Sequence, residues 1–308
     1  MTQRSPLTRQ ARVKRDMPFI VLAIVATVFV GAFAANSQGQ EPRFEVERSG
    51  NEAGRDIILI PGLGSAGETW TGTAAHLADA GYDVHTMTLA GFAGVPAGPV
   101  VEDFTRANAQ ALNAYIADQA MENPAVVGHS LGGQVALLMA IESDQIDDVM
   151  VVDSVPFLAA LFNPQASLQS AQGFAEVMGM QLERLDDAGF EAMQRQGIAI
   201  QSRDEATREK VLQWTLDSDR AVFIQALKEV MGRDYRADMA QVQAPVEIVI
   251  AHNARIPMSA ERLSAMFDAQ YQALTQPYEI HVVEESGHFL MLDQAQAFYA
   301  ILDTWLED

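Results

Sequence analysis

The 308-residue chain contains no cysteine. That excludes a disulfide framework, a thiolate nucleophile and any metal site built on sulfur. It leaves the redox compartment open, being merely compatible with an oxidising one. Basic residues are scarce: 20 Lys and Arg stand against 41 Asp and Glu, for a formal net charge of −21. Such a polyanion disfavours nucleic acid and anionic membrane surfaces as partners. Solubility alone is sufficient reason for the charge. Internal repeats and low-complexity tracts are also missing. The length, with 49% hydrophobic residues, suits one large α/β domain or one domain carrying an insertion.

What basic charge there is gathers at the start. Arg4, Arg9, Arg12, Lys14 and Arg15 precede an uncharged apolar run from Met17 to Ala35. The run ends in Ala32-Phe33-Ala34, an A-x-A site, and polar Asn36 to Gln40 follows. The pattern predicts a secretory signal peptide, and with it an exported, periplasmic or extracellular body. The run is long for that purpose and nearly spans a bilayer. An uncleaved anchor, residues 17–35 held in the cytoplasmic membrane with the basic end inside, is therefore the alternative. On both readings residues 1–40 are an address plus linker.

The body alternates strand and helix, the signature of a mostly parallel sheet covered on both faces. Strands are expected at Phe44–Arg48, Asp56–Ile60, Tyr82–Leu89, Ala125–Gly128, Asp148–Asp153, Pro245–Ala251 and Tyr278–Val283. Helices are expected at Thr69–Ala80, Val101–Glu122 and Phe289–Glu307. Between Asp153 and Pro245 the strand rhythm stops, and the pattern becomes helical and rich in Phe, Met and Leu. Phe157, Leu161, Phe162, Phe174, Met178, Met180, Phe190 and Met193 read mostly as that insertion's own core, with a few lining a pocket over the strand C-terminal ends.

The densest chemical signal is Val126-Val127-Gly128-His129-Ser130-Leu131-Gly132-Gly133. A short β-branched run ends in Gly-x-Ser-x-Gly, and a helical stretch follows at once: the strand–turn–helix setting of a nucleophile elbow. Gly128 and Gly132 are required because a Cβ there would collide with neighbouring backbone. The Ser130 hydroxyl then stands at a helix start, where the Leu131 N–H can face a developing oxyanion.

With these residues the chain resembles the α/β-hydrolase fold family, in the group with a helical cap inserted after the sixth strand. The resemblance runs from about residue 44 to the end. It implies an α/β-hydrolase core over 41–154 and 241–308 and a helical cap over 155–240. Leu59-Ile60-Pro61-Gly62-Leu63-Gly64-Ser65 is similar to the family's strand–His-Gly loop, with Pro61 in place of the His. By that resemblance the Leu63 N–H is the second oxyanion donor, opposite Leu131. The same loop contains Gly62-x-Gly64-x-x-Gly67, a dinucleotide fingerprint on its face. That fingerprint wants an acid at the end of the next strand, and Met87-Thr88-Leu89-Ala90 has none.

Ser286-Gly287-His288 lies just beyond the last strand, where the family carries its general base, and imidazole titrates near neutrality. His76 lies on a helix, His85 and His281 within strands, and His129 in the elbow; His252 is the other candidate. The usual acid is missing. The loop after the post-cap strand, Ala251-His252-Asn253-Ala254-Arg255-Ile256-Pro257, holds no carboxylate. Asp153, ending the strand after the elbow helix, is the substitute acid, since some members take theirs from that strand end. Its competing role is to cap the following turn. Asn253 as a weak orienter and a dyad served by water stay open.

The resemblance implies a serine hydrolase acting on a small-molecule ester or acyl substrate with an apolar acyl or alcohol group, without metal or organic cofactor. Ser130 attacks, His288 moves the proton and Asp153 orients it. A non-catalytic binding protein on the same scaffold remains the alternative, as do C–C hydrolysis, acyl transfer and cofactor-free perhydrolysis.

Overall fold

A computed structural model describes residues 29–32, 43–98, 101–253 and 255–307. Its strands are β1 (Phe29–Ala32), β2 (Phe44–Gly50), β3 (Asp56–Ile60), β4 (Asp83–Leu89), β5 (Ala125–His129), β6 (Asp148–Val152), β7 (Val246–Ala251) and β8 (Tyr278–Val283). They form one sheet in the order β1-β2-β4-β3-β5-β6-β7-β8. The β1–β2 and β2–β4 pairs are antiparallel, and every pair from β4–β3 to β7–β8 is parallel.

The helices cover both faces. They are α1 (Thr71–Asp79), α2 (Phe104–Asp118), α3 (Leu131–Glu142), α4 (Ala159–Phe162), α5 (Leu168–Arg184), α6 (Asp187–Ile198), α7 (Glu205–Leu216), α8 (Arg220–Gly232), α9 (Ala260–Tyr271), α10 (Leu290–Asp293) and α11 (Ala295–Glu307). The division of the core explains the sequence of β3. Ile57 and Leu59 pack with α1 and α11, whereas Ile58 and Ile60 pack with α2, α3 and α9. A strand buried on both faces needs apolar residues at every position, so DIILI carries no alternation.

Between β6 and β7, α4 to α8 form the inserted cap. Its helix starts are written locally. Ser167, Asp186, Asp204 and Asp219 each accept, through the side chain, a backbone N–H of the first turn. Leu182, Phe190, Phe223 and Ile224 make a small core within the cap. Phe174 and Met180, expected inside, are 56% and 45% exposed on α5, because a single layer of helices has an outer face. The cap is tied to the core by a buried carboxylate. Glu229 of α8 accepts from Phe104 N (2.7 Å), Thr105 N (2.8 Å) and Thr105 Oγ1 (2.9 Å), closing the free N-terminus of α2.

The N-terminal expectation is corrected. Among the described residues no helix is long and apolar enough to cross a membrane. The described part of the apolar run, Phe29–Ala32, is an edge strand whose Phe29 stands opposite Arg48 and Ala32 opposite Glu45. A uniformly apolar stretch has no period that separates strand from helix, and here sheet pairing satisfies its backbone. The rest of the run lies outside the described residues. The signal-peptide and anchor assignments, and the exported or membrane-held location built on them, are set aside. Two other elements differ from expectation. The closing helix breaks at Gln294 into α10 and α11, and α9, with its Ser259 cap, lies where no helix was expected.

Candidate active site

The site gathers at the C-terminal ends of β3, β5, β6 and β8. β5 ends at His129, and Ser130 turns the chain into α3 with φ 53° and ψ −118°. This backbone is strained for a residue with a Cβ. A Cβ on Gly128 would lie 2.1 Å from Gly132 O, and one on Gly132 would lie 2.4 Å from Ile60 O. Both positions therefore exclude any side chain. Leu131 opens α3, so its N–H has no acceptor inside the helix. The loop after β3 runs against the serine, since a Cβ on Gly62 would stand 3.2 Å from Ser130 Cβ. Leu63 is the next residue of that loop.

Asp153 follows β6 with φ 46°. Its N–H donates to Val249 O (2.7 Å), and its Oδ1 accepts from Ala251 N (3.0 Å), so both bonds lock it onto β7. Its Oδ2 lies 2.6 Å from His288 Nδ1. Next to it, Tyr271 is fully buried and donates to Ser154 O (2.8 Å). Burial, and then the Asp153 charge, raises the Tyr271 phenol well above its ordinary value, so it stays a neutral donor.

The His288 loop is pinned on several sides. Ser286 N donates to His252 O (3.0 Å), and His129 Nε2 donates to His288 O (2.9 Å). A carbonyl only accepts, so this bond places the His129 proton on Nε2 and leaves Nδ1 buried without a partner among the described residues. Burial first, then the neighbouring His288, pushes the His129 imidazole well below its ordinary value. It is a neutral prop, 4.4 Å ring to ring from His288. Asn253 does not reach His288. It closes its own turn, donating from Nδ2 to Ser286 O (2.6 Å) and accepting from Arg255 N (2.9 Å).

The other histidines are engaged elsewhere. His252 bonds Glu284 (2.6 Å) and Met258 O (2.9 Å), and His76 bonds Asp303 (2.6 Å). His85 lies between Tyr115 Oη (2.8 Å) and Asp56 (3.0 Å), and His281 bonds Glu247. Two groups have metal-like spacing, Asp56/Asp83/His85 and Glu247/Glu279/His281. In the first, Asp83 is held by Arg48 and both His85 nitrogens are taken. Neither group lies on the wall of the Ser130 cavity.

Ser130, Asp153 and His288 share the wall of a cavity of about 540 Å³. Val155, Leu158, Leu161, Phe162, Ile256 and Phe267 make it mostly apolar. Among the described residues no hydrogen bond joins Ser130 to His288. Catalytic hydrogen bonds of this kind tighten in the complex with substrate. The arrangement can present a hydroxyl to an acyl carbon beside an imidazole whose far nitrogen is fixed by a carboxylate. Sequence patterns did not single out Gln201 or Asp293, which bond this loop, or Ser202, which bonds Asp293. Ser202 and Asp293 are 91 positions apart, beyond any local signal.

A profile described as the alpha/beta hydrolase family matches residues 57–301. The pimeloyl-acyl-carrier-protein methyl ester esterase of Vibrio cholerae serotype O1 is 25% identical over 256 residues, covering 80% of this chain and 91% of that protein. An esterase from Exiguobacterium antarcticum superposes with a TM-score of 0.72 at 15% identity, covering 88% of this chain and 97% of that one. A thermophilic esterase from Thermogutta terrifontis gives 0.69 at 18% identity, covering 92% and 98%.

Proposed function

The chain belongs to the alpha/beta hydrolase family and is a hydrolase, and from that premise we propose that it cleaves an ester-like substrate through an acyl-serine intermediate. Ser130 Oγ attacks the carbonyl carbon while His288 Nε2 takes the hydroxyl proton. The carbonyl oxygen gathers charge between the Leu63 and Leu131 N–H groups. The tetrahedral adduct then collapses, the C–O bond breaks, and His288 returns the proton to the leaving alcohol. Water repeats the sequence on the acyl-serine and frees the acid. Asp153 holds the His288 proton on Nδ1, which leaves Nε2 free to accept, and it stabilises the imidazolium.

The observation that carries this reading is the 2.6 Å contact of Asp153 Oδ2 with His288 Nδ1 at the wall of the cavity that also holds Ser130. A carboxylate there supplies what the acid-free loop at Asn253 lacks. The neutral state of His129 supports it as well, because a second cation beside His288 would oppose imidazolium formation. In this reading residues 155–240 act as the cap, over a core of 41–154 and 241–308. The apolar cavity favours an apolar acyl or alcohol group. The Vibrio relative, named for a methyl ester, supports an ester as the bond cleaved.

A fluorophosphonate is expected to label Ser130 alone, and the protein is expected to hydrolyse short p-nitrophenyl esters. Wild-type protein that is neither labelled nor active, with Ser130→Ala equally stable, would overturn the acyl-serine mechanism.

A further inference from the structure

Resting on the reading of His288 as base, we propose that Asp293 and the cap segment Gln201–Arg203 form a clamp that positions the His288 imidazole. Asp293 is the positioning residue that closes it. Three consecutive residues around the base, Gly287 to Phe289, are each held through the backbone. Gly287 N donates to Asp293 Oδ2 (2.8 Å), His288 O accepts from His129, and Phe289 N donates to Gln201 O (3.2 Å). The first and third of these depend on the cap. Gln201 belongs to it, and Asp293 is fastened to it by Ser202 Oγ (2.7 Å) and Arg203 N (3.1 Å to Oδ2). Arg203 adds a bond from Nη1 to Glu285 O (2.7 Å), on the other side of the same loop.

The approach is backbone to backbone. A Cβ on Gly287 would stand 2.5 Å from Gln201 O, so only glycine lets the two segments meet. Asp293 stands in the single turn α10, and its side chain bonds outside that turn. Oδ1 is bonded by the cap, and Oδ2 bridges the base loop and the cap.

Ile200 and Gln201 also line the cavity. The segment that bounds the substrate space is therefore the one that holds the base loop. A substrate seated under the cap presses on the same strut that sets the imidazole. The bond from Asp153 fixes only the far ring nitrogen; the clamp fixes the backbone from which the ring swings. Loss of the clamp is thus expected in kcat more than in KM, since misplacing a catalytic group by about 1 Å can cost roughly 10²-fold.

The test uses Asp293→Ala, Asp293→Asn and Ser202→Ala. Asp293→Ala is expected to lower kcat about 10- to 100-fold with a smaller change in KM. Asp293→Asn keeps one acceptor oxygen and should recover part of the loss. The downfield proton resonance of His288 Nδ1, bonded to Asp153, should shift or broaden in Asp293→Ala, a change that a merely stabilising side chain would not produce. Should Asp293→Ala not fold, Ser202→Ala removes one of the two cap-side bonds to Asp293, together with the bond that Ser202 Oγ accepts from Asp204 N (3.1 Å), and is expected to lower kcat severalfold in a protein that still melts cooperatively. Folded Asp293→Ala with wild-type kcat and an unmoved resonance would overturn the clamp, as would Ser202→Ala with wild-type kcat. An unlabelled, inactive wild type would instead refute the acyl-serine reading, and the resonance would still decide the clamp.

Discussion

Replacing Asp153 by Asn tests the displaced acid most directly, because the structure leaves the new side chain no good orientation. Asp153 accepts on both oxygens: Oδ1 from Ala251 N at 3.0 Å, Oδ2 from His288 Nδ1 at 2.6 Å. An asparagine has one oxygen and one NH2. If the oxygen stays on Ala251 N–H, the NH2 faces His288 Nδ1 and forces the proton onto Nε2. That nitrogen can then no longer accept from Ser130. A wrong tautomer of this kind costs about 10⁴ in kcat in a serine protease, about 5.5 kcal/mol of barrier. If the amide flips, the tautomer survives, but NH2 meets the Ala251 N–H and leaves a buried donor unpaired. That costs about 1–3 kcal/mol of stability. The expected result is a fall in kcat of roughly 10²–10⁴ with KM little changed, or a smaller fall with a lowered melting temperature. The assay is steady-state hydrolysis of a p-nitrophenyl ester, with thermal melts of both proteins. Asp153→Asn that melts like wild type and keeps near-wild-type kcat refutes the assignment.

Other expectations follow from single contacts. Gly132→Ala places a Cβ 2.4 Å from Ile60 O, a rigid strand carbonyl, and should destabilise the fold by about 1–3 kcal/mol in urea titrations. Glu229→Ala strands the N–H groups of Phe104 and Thr105 at the start of α2, so a stability loss of about 1–3 kcal/mol is expected by the same measurement. Equal stability would refute the cap-to-core latch. The Glu247 hydrogen bond raises the His281 imidazole above its ordinary value. A raised folded value means the pair stabilises fully below about pH 6.5 and loses that stabilisation as pH rises through the folded value. Stability of wild type relative to Glu247→Gln should therefore shrink on going from pH 6 to pH 9, and a constant difference would refute the pairing.

The sequence by itself determined the elements whose cause is local. The runs 57–60 and 125–128 carry no polar side chain because strands in the middle of a covered sheet are buried twice. The elbow is legible because the steric demand of the turn falls on Gly128 and Gly132, two positions either side of Ser130. The cap announced itself through a change of period, and its helix starts through Ser and Asp caps. Tertiary structure decided what depends on distant partners. Whether Met17–Ala35 is helix or strand has no local answer, since its apolarity is uniform, and the described part became an edge strand only by finding β2. Asp153 and His288 are 135 positions apart, and their 2.6 Å contact arises because β6, β7 and β8 are neighbours that end together. The same neighbourhood gives Asn253 the task of closing a turn, and it brings Asp293 onto Ser202 of the cap. Local sterics write turns and buried strands into adjacent residues; a side chain's hydrogen-bond partner is chosen only when the packed sheet brings remote loop ends together.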